Sequence, residues 1–504
     1  MEGIRENSIN LPNIVEDEYL YEHRLSKKLG EGGQGLVCAT ENPLIVVKFV
    51  TDRNGNLISK TKNKELFDKY NTRFNNIRLL PVDRNIAKPI ALLNDYAGYI
   101  MQFMEDMMPL SVLEILDTNE KAPAWLVGKN PSTEKLSTAQ QRLFAYCKNG
   151  GLRHRLEILG KTAKVLSQLH TQGLVYCDIS PNNIFITNDI DFENPNVWFI
   201  DADNISFSSE DITKGNTVFT PRYVAPEVYT QKTVCTQDSD IYAFALTAFE
   251  KISLVYPFSG EMTNSDDDWD DWDESTSINN AEDDFMDPME KAYRGELDWI
   301  WQKESNNKSS DGLPKGLVLT PSLYQLFNLC FSKGRQQIEF RPPMILWHKT
   351  LLEAKDLTIK CSNCKMSWYF PQQKSICPYC DNKVKKVLLI KEIDRNKEEN
   401  LIFAHEIEAN QNILISKQRL GFPKFDKTEN SLLQIKYQNS EKGTEIDSFL
   451  LNLRLDEKEK CKISQNREEQ SITHQIEILA NDFLLEIELN NKKRKFKFEV
   501  IKEN

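Results

Sequence analysis

The 504-residue sequence contains no uncharged apolar run of membrane-spanning length. The nearest approach, residues 241–258, is broken by Glu250 and Lys251 and reads as a buried helix. The start, Met1-Glu2-Gly3-Ile4-Arg5-Glu6, lacks the apolar core of a signal peptide, so a cytoplasmic protein with no membrane partner is expected. Clustered basic charge is missing too. Lys and Arg number 63 against 75 Asp and Glu, and the formal net charge of −12 argues against general nucleic-acid binding. Nor do the ten cysteines spell a disulfide framework: Cys38, Cys147, Cys177, Cys235, Cys330 and Cys461 are scattered and the other four are clustered. The length is too great for one ordinary core, and two or three domains are expected.

What is present begins with Asp178-Ile179-Ser180-Pro181-Asn182-Asn183, an Asp five residues before an Asn. Phosphoryl transfer calls for a carboxylate that orients the attacking hydroxyl and an amide oxygen on the metal bridging the phosphates. The spacing alone is weak, because Asp and Asn fill ordinary loops. Its surroundings matter more. Gly30-Glu31-Gly32-Gly33-Gln34-Gly35-Leu36-Val37 lies between two strand-like segments, residues 25–29 and 36–40. Glycines let backbone N–H groups approach phosphate, although an isolated loop of this kind is as often a plain hairpin turn. Residues 44–50 read as a buried strand holding one lysine, Lys48. Inside a core Lys48 needs an acidic partner, and Glu65, on a helix-like stretch at 60–70, is the expected one; a strand-edge lysine facing water is the alternative.

Residues 99–105 read as a strand entering a hinge. Met101 would then sit behind an adenine, with Gln102 to Met104 offering backbone hydrogen bonds; a core strand explains these residues equally well. A helix over 153–170, with Leu156, Leu159, Ala163, Leu166 and His170 at helical spacing, delivers the chain to Asp178. The apolar run 197–200 ends at Asp201-Ala202-Asp203, which makes Asp201 a candidate magnesium ligand.

Downstream come Thr220-Pro221-Arg222-Tyr223-Val224-Ala225-Pro226-Glu227, an apolar helix opened by Asp240, and Arg341-Pro342. With these, residues from about 23 to 350 resemble a eukaryotic-type (Hanks-type) Ser/Thr protein kinase of the bacterial non-RD subtype. The resemblance implies an α+β, bilobal kinase-like fold with a small β-rich N-lobe and a helical C-lobe. It implies ATP under Gly30, Gly32, Gly33, Gly35 and Val37, on Lys48 and Glu65, and at Gln102, Met104 and Ser180. Asp178 and Lys48 would be catalytic, Asn183 and Asp201 would hold Mg2+, and Glu227 would pair with Arg341. The acceptor would be a Ser or Thr hydroxyl of a protein substrate.

Four features depart from that pattern. Tyr176-Cys177 replaces the His-Arg before the catalytic Asp, so activity is expected without phosphorylation of Ser206, Ser208, Ser209, Thr213, Thr217 or Thr220. Ser180 stands where a lysine usually faces the γ-phosphate. Asp203 replaces a glycine and is expected to point to solvent, with metal binding as the alternative. The segment 116–151 reads as a long loop, with Pro123, Pro131 and Gly150-Gly151 as breakers. A nucleotide-binding scaffold without transfer, and a kinase of a non-protein acceptor, are the rival readings.

Cys361-Ser362-Asn363-Cys364 and Cys377-Pro378-Tyr379-Cys380 are two knuckles that together can hold one tetrahedral Zn2+. They resemble a zinc ribbon, with free thiols or a rubredoxin-like iron site as the alternatives; Trp368, Tyr369 and Phe370 between them are expected to pack on the ribbon, a contact surface being the alternative. If that ribbon is independent, Cys361→Ser releases zinc and spares ATP binding. Beyond it, strand-like segments at 387–390, 413–415, 432–435, 449–453, 476–479, 483–487 and 496–500 suggest an all-β sandwich-like domain. The acidic run 266–274 reads as a solvated loop, or as a docking element for a basic partner. The expected organisation is an N-terminal extension (1–22), a kinase domain (23–355) with an acidic insert near 261–288, a zinc ribbon (356–386) and a β-rich domain (387–504). A regulatory partner could use the insert or the last domain.

Overall fold

A computed structural model describes residues 11–502 except 33–34, 53, 81–84, 116–121, 128–135, 188–194, 208–218, 264–287, 371–375, 409–410, 418, 423–430, 439–446, 456–459, 467, 473 and 490–491. The acidic run, Gly33, Gln34, Pro131, Ser208, Ser209, Thr213 and Thr217 lie outside the described residues.

The N-terminal part is one antiparallel sheet. Its strands are β1 (Ile14–Glu16), β2 (Glu22–Gly32), β3 (Gly35–Thr40), β4 (Ile45–Val50), β5 (Ala91–Leu92) and β6 (Gly98–Gln102), in the order β1-β2-β3-β4-β6-β5. The sheet therefore takes in residues before 23. Alternation along β4 sorts its side chains: Val47 and Phe49 enter a small outer core, while Val46 and Val50 face the main core. Helix α1 (Lys64–Arg78) lies on that inner side and buries Phe67, Phe74 and Ile77. It is longer than the expected 60–70 stretch, because Asn63 caps its start and the apolar spacing continues to Ile77.

The segment expected to be a long loop contains the short helix α2 (Ala124–Val127) and then α3 (Thr138–Lys148). A reciprocal capping box between Ser137 and Gln140 starts α3, and Phe144, Ala145, Tyr146 and Cys147 bury its inner face. Gly150 and Gly151, both at positive φ, turn the chain directly into α4 (Gly151–Thr171). Helix α5 (Pro226–Tyr229) and the almost wholly buried α6 (Gln237–Ser253) complete the centre of the helical part. Arg341 grips Glu227 through two bonds of 2.7 and 2.8 Å, as expected, and also donates to the carbonyls of Gly334 and Asp238. Among the described residues no helix is long and apolar enough to cross a membrane.

The four clustered cysteines are not on a separate module. Cys361, Cys364, Met366, Trp368, Tyr369, Phe370 and Cys377 belong to the same apolar core as α4 and α6. Polar bonds reinforce the join: Cys147 Sγ donates to the Cys364 carbonyl at 2.8 Å, and the Arg153 amide donates to Ser367 Oγ at 2.8 Å. The independence assumed for Cys361→Ser is therefore absent from the packing.

All seven expected C-terminal strands appear, together with Glu399–Glu406, Lys460–Gln465 and Glu468–Ile472. They form a six-stranded and a four-stranded antiparallel sheet around a second core. The Lys386–Ile393 strand serves both cores: Val387 and Leu389 face the helical part, Leu388 and Ile390 the sheet-on-sheet core. Arg419 reaches back to Asp356 at 2.9 Å.

Candidate active site

Lys48 is the first element of the site. It stands on the inner face of β4, beside Val37 of β3 and Tyr99 of β6 in the sheet register. Only 6% of it is exposed. Its ammonium lies 2.5 Å from Asp201 and 2.8 Å from Asp203. Burial would lower the Lys48 pKa, but Asp203 and Asp201 outweigh burial and hold it well above the usual lysine value.

Two expectations fail here. Glu65 sits in the first turn of α1, exposed, and makes no ion pair with Lys48 among the described residues. Asp203 does not point to solvent: it is 5% exposed, bonded to Lys48 and to the Tyr99 hydroxyl at 2.7 Å. The physical reason is local. The core-facing positions of α1 carry Phe67, Phe74 and Ile77, whereas the short 3-10 turn Ala202–Asn204 brings Asp203 inward beneath β6.

The described flanks of the glycine loop pair as strands, with Gly30, Glu31 and Gly32 opposite Val37, Leu36 and Gly35. A Cβ on Gly35 would meet the Phe49 carbonyl oxygen at 2.0 Å, so strand approach alone demands glycine there. Gly30 has open space around it. Val37 packs partly buried against the main core. At the hinge Met101 is buried, the Phe103 amide is taken by the Leu44 carbonyl, and the Met104 carbonyl accepts from the Met107 amide. The Gln102 side chain is exposed.

The Asp178 loop leaves the short strand Leu174–Val175 after α4. Asp240 at the start of α6 holds it, accepting from the amides of Tyr176 (2.7 Å) and Cys177 (2.9 Å) and lying 3.0 Å from His170. Tyr176 packs its ring on Phe199 at 4.7 Å, and its hydroxyl donates to the Ile200 carbonyl. Cys177 is buried beside Ser206, 3.6 Å away, and adopts a positive φ of 76°. Asp201 is likewise left-handed, at 58°. Non-glycine residues in that region cost about 1–3 kcal/mol each and cluster at functional sites.

Asp178 has both carboxylate oxygens bonded, Oδ1 to the Thr220 hydroxyl (2.8 Å) and Oδ2 to the Asn183 side-chain amide (3.0 Å). Burial pushes the Asp178 carboxyl above its ordinary value, against the lowering by Thr220 and Asn183. The Asn183 amide nitrogen also donates to the Asp178 carbonyl at 2.9 Å, so Oδ1 is the side-chain atom that could take a cation. Backbone pairing of Ile184–Thr187 with Val197–Phe199, and the Ile200 amide bonded to the Asn183 carbonyl at 3.0 Å, set Asn183 beside Asp201. Ser180 is buried, its carbonyl accepting from the Asn183 amide.

The structure thus brings Lys48, Asp178, Asn183 and Asp201 to one face between the sheet and the helices. Sequence reasoning missed Asp203 and Tyr99, the Asp240 bonds and the Thr220 contact, the last foreshadowed only by the nearness of Thr220 to Ala225-Pro226-Glu227. Thr220→Ala removes a donor from Asp178. If Asp178 orients an acceptor hydroxyl for phosphoryl transfer, the expected result is a roughly tenfold slower transfer and an acid limb of the pH–rate profile moved to higher pH. The sign follows from the chemistry: the ionised carboxylate is the active form, and losing a donor to it raises its pKa. A pH–rate profile that superimposes on that of the unaltered protein would contradict this.

A second cluster, away from the cleft, comprises Cys361, Cys364, Cys377 and Cys380, whose sulfurs all lie within 4.8 Å of one another. The Cys361–Cys380 and Cys364–Cys377 sulfur pairs are each 3.6 Å apart. Four thiolates around one tetrahedral Zn2+ would be about 3.8 Å apart, given Zn–S bonds near 2.3 Å. A disulfide would need about 2.05 Å. The donor set therefore fits Zn2+. Asn363, Asn382 and the Cys364 amide approach the sulfurs at 3.5–3.7 Å and would orient and polarise them.

Residues 110–334 match the protein kinase domain. The match begins after β6, so Lys48 and the glycine loop rest on their own geometry. Among curated proteins, the chain is 29% identical over 157 residues to the serine/threonine-protein kinase dkf-2 of Caenorhabditis briggsae, covering 31% of this chain and 12% of that protein. It is 28% identical over 127 residues to human 3-phosphoinositide-dependent protein kinase 1, covering 23% of this chain and 22% of that protein. It is 29% identical over 143 residues to the serine/threonine-protein kinase PknA of Mycobacterium tuberculosis, covering 28% and 31%. The chain spans less than a third of each of these relatives.

Proposed function

We propose that this chain is an ATP-dependent protein kinase that transfers the γ-phosphate to Ser or Thr hydroxyls of a protein, and that it is of the non-RD subtype. The observation that carries the reading is the convergence of Asp178, Asn183, Asp201 and Lys48 on one cleft face. The kinase-domain match and the three relatives support it. Asp178 would accept the hydrogen bond of the incoming hydroxyl and fix its direction of attack, with Thr220 and Asn183 holding the carboxylate. Lys48 would ground the α- and β-phosphates. The oxygens of Asn183 and Asp201 are hard donors suited to Mg2+, which when bound neutralises charge on the phosphate oxygens. Gly30, Gly32 and Gly35 would cover the phosphates, with Val37, Gln102 and Met104 around the base.

The cleft holds no Arg at Cys177 to bind an activation-loop phosphate. Replacing Ser206, Ser208, Ser209, Thr213 and Thr217 together with Ala is therefore expected to leave transfer within about threefold. A loss of activity restored by acidic replacements would contradict it. Thr220 is excluded from that set because it touches Asp178.

The four-thiolate cluster we assign to structural Zn2+, fully coordinated and without an open position for chemistry. None of the ten cysteines is in a disulfide. This supports a reducing compartment, and we place the protein in the cytoplasm. The two-sheet C-terminal part is assigned a regulatory, partner-binding role.

The test is incubation of the full chain with γ-labelled ATP, Mg2+ and generic protein acceptors, beside Asp178→Asn. Label on protein that is lost in the variant supports the reading. ATP bound by both proteins with no protein label from either overturns it in favour of a nucleotide-binding scaffold.

A further inference from the structure

We propose that Asp203, braced by Tyr99, is the residue that positions Lys48 for the nucleotide phosphates, in place of a carboxylate on α1. This inference rests on the kinase reading above and names a positioning residue within that site.

A buried ammonium must keep a countercharge. Asp201 supplies one in this structure, at 2.5 Å. Once Asp201 turns to a cation, Lys48 needs another partner. Asp203 is the partner in place: its Oδ2 lies 2.8 Å from Lys48, and its Oδ1 accepts from the Tyr99 hydroxyl at 2.7 Å. Both oxygens are therefore engaged by fixed protein donors, which leaves Asp203 unsuited to be a free metal ligand.

Tyr99 is in turn fixed. It faces Lys48 across the β4–β6 ladder, and its ring packs edge-on to Phe74 at 4.9 Å. Sheet register thus sets Lys48 and Tyr99 side by side, and Asp203 bridges them from below.

Helix α1 supplies no substitute. Its acids are Glu65 and Asp68, both exposed. The partly buried Asn71 lies one turn after Phe67, and its Oδ1 has no hydrogen-bond partner. The helix is tied to the metal loop by another bond, from Arg73 to Asn204 Oδ1 at 3.1 Å. The wiring common in kinases, a Lys–Glu pair between strand and helix, is here replaced by a pair within the cleft floor. Displacement of α1 would then leave the Lys48 anchor intact.

The experiment uses the full chain and three variants, Asp203→Asn, Tyr99→Phe and Glu65→Ala. Two readouts are taken: steady-state transfer, and covalent labelling of Lys48 by an adenosine sulfonyl fluoride, which reacts when the Lys48 amine is held beside the bound probe's sulfonyl group. For Asp203→Asn we expect a kcat/KM for ATP at least about tenfold lower and Lys48 labelling at saturating probe roughly tenfold slower, since an amine that has lost its anchor is no longer held at the probe's sulfonyl group. Tyr99→Phe, which keeps the packing, should move both readouts the same way by about threefold. Glu65→Ala should change neither.

The proposal is overturned if Glu65→Ala matches Asp203→Asn. It is also overturned if Asp203→Asn raises the Mg2+ requirement while Lys48 labelling stays unchanged. Should Asp203→Asn fail to fold, Tyr99→Phe decides, and unchanged labelling there counts against the proposal. Labelling needs no phosphate transfer, so an unaltered protein that labels at Lys48 but transfers nothing would sink the kinase reading alone.

Discussion

If the four-cysteine cluster holds the proposed Zn2+, stripping it by chelation or by Cys361→Ser is expected to destabilise the helical lobe as well as the segment that carries the cysteines. Structural zinc supplies about 10–16 kcal/mol of folding energy in isolated zinc-finger peptides. Part of that is spared here, because Trp368, Tyr369 and Phe370 are buried in the shared core. The loss still reaches α4. The Arg153 amide depends on Ser367 Oγ, Cys147 on the Cys364 carbonyl, and Tyr369 donates to the Val318 carbonyl at 3.0 Å. Helix α4 in turn delivers the chain to Asp178. A destabilisation of at least about 5 kcal/mol, read as a melting temperature lower by roughly 10–20 °C, is expected, with weaker ATP binding. Complete zinc release with unchanged melting and unchanged ATP affinity would show that the ribbon merely rides on the lobe.

Arg341→Ala is expected to cost about 3–5 kcal/mol, a large fraction of the 5–15 kcal/mol typical of a folded domain. The magnitude follows from what is left behind. The Arg341 side chain is fully buried and makes charge-assisted bonds to both Glu227 oxygens, with further donations to Gly334 and Asp238 and a stacking contact on Tyr242. Removing it strands a carboxylate that retains little access to water and orphans two backbone acceptors. The charge-conserving Arg341→Lys should recover less than half of the loss, because a lysine cannot make the two-pronged contact. Chemical denaturation measures both; a loss below about 1 kcal/mol for Arg341→Ala would mean that the pair is not structural.

Much of the cleft was legible because the chemistry sits at short spacings. Asp178 and Asn183 are five residues apart on one loop; the pairing of Glu227 with the remote Arg341 came only from the resemblance to the kinase pattern. What escaped reading depends on register and on helix faces. Nothing in Asp201-Ala202-Asp203 reveals that the second Asp turns inward; that requires knowing that Tyr99 lies beside Lys48 across a strand pair. Glu65 was a reasonable partner until the face of α1 was known: the buried stripe is Phe67, Phe74 and Ile77, with Glu65 in the exposed first turn. Gly150-Gly151 reads as a breaker and is one, yet the helix before it is announced only by Ser137 and Gln140. The strand Lys460–Gln465 was hidden because outward-facing charge in an amphipathic strand looks like a turn, and Glu468–Ile472 because only Ile472 of its residues is buried. The merging of the cysteine cluster with the helical core was not legible at all, since knuckle spacing says nothing about what a ribbon packs against.

The central claim is that Asp178 directs a γ-phosphate onto a Ser or Thr hydroxyl of a protein. Its most direct measurement is phosphoamino-acid analysis of an acceptor protein labelled from γ-labelled ATP by the full chain, with Asp178→Asn beside it. The account predicts phosphoserine and phosphothreonine, both lost in Asp178→Asn while ATP binding persists. Label that survives in Asp178→Asn, or label confined to small molecules, would contradict it.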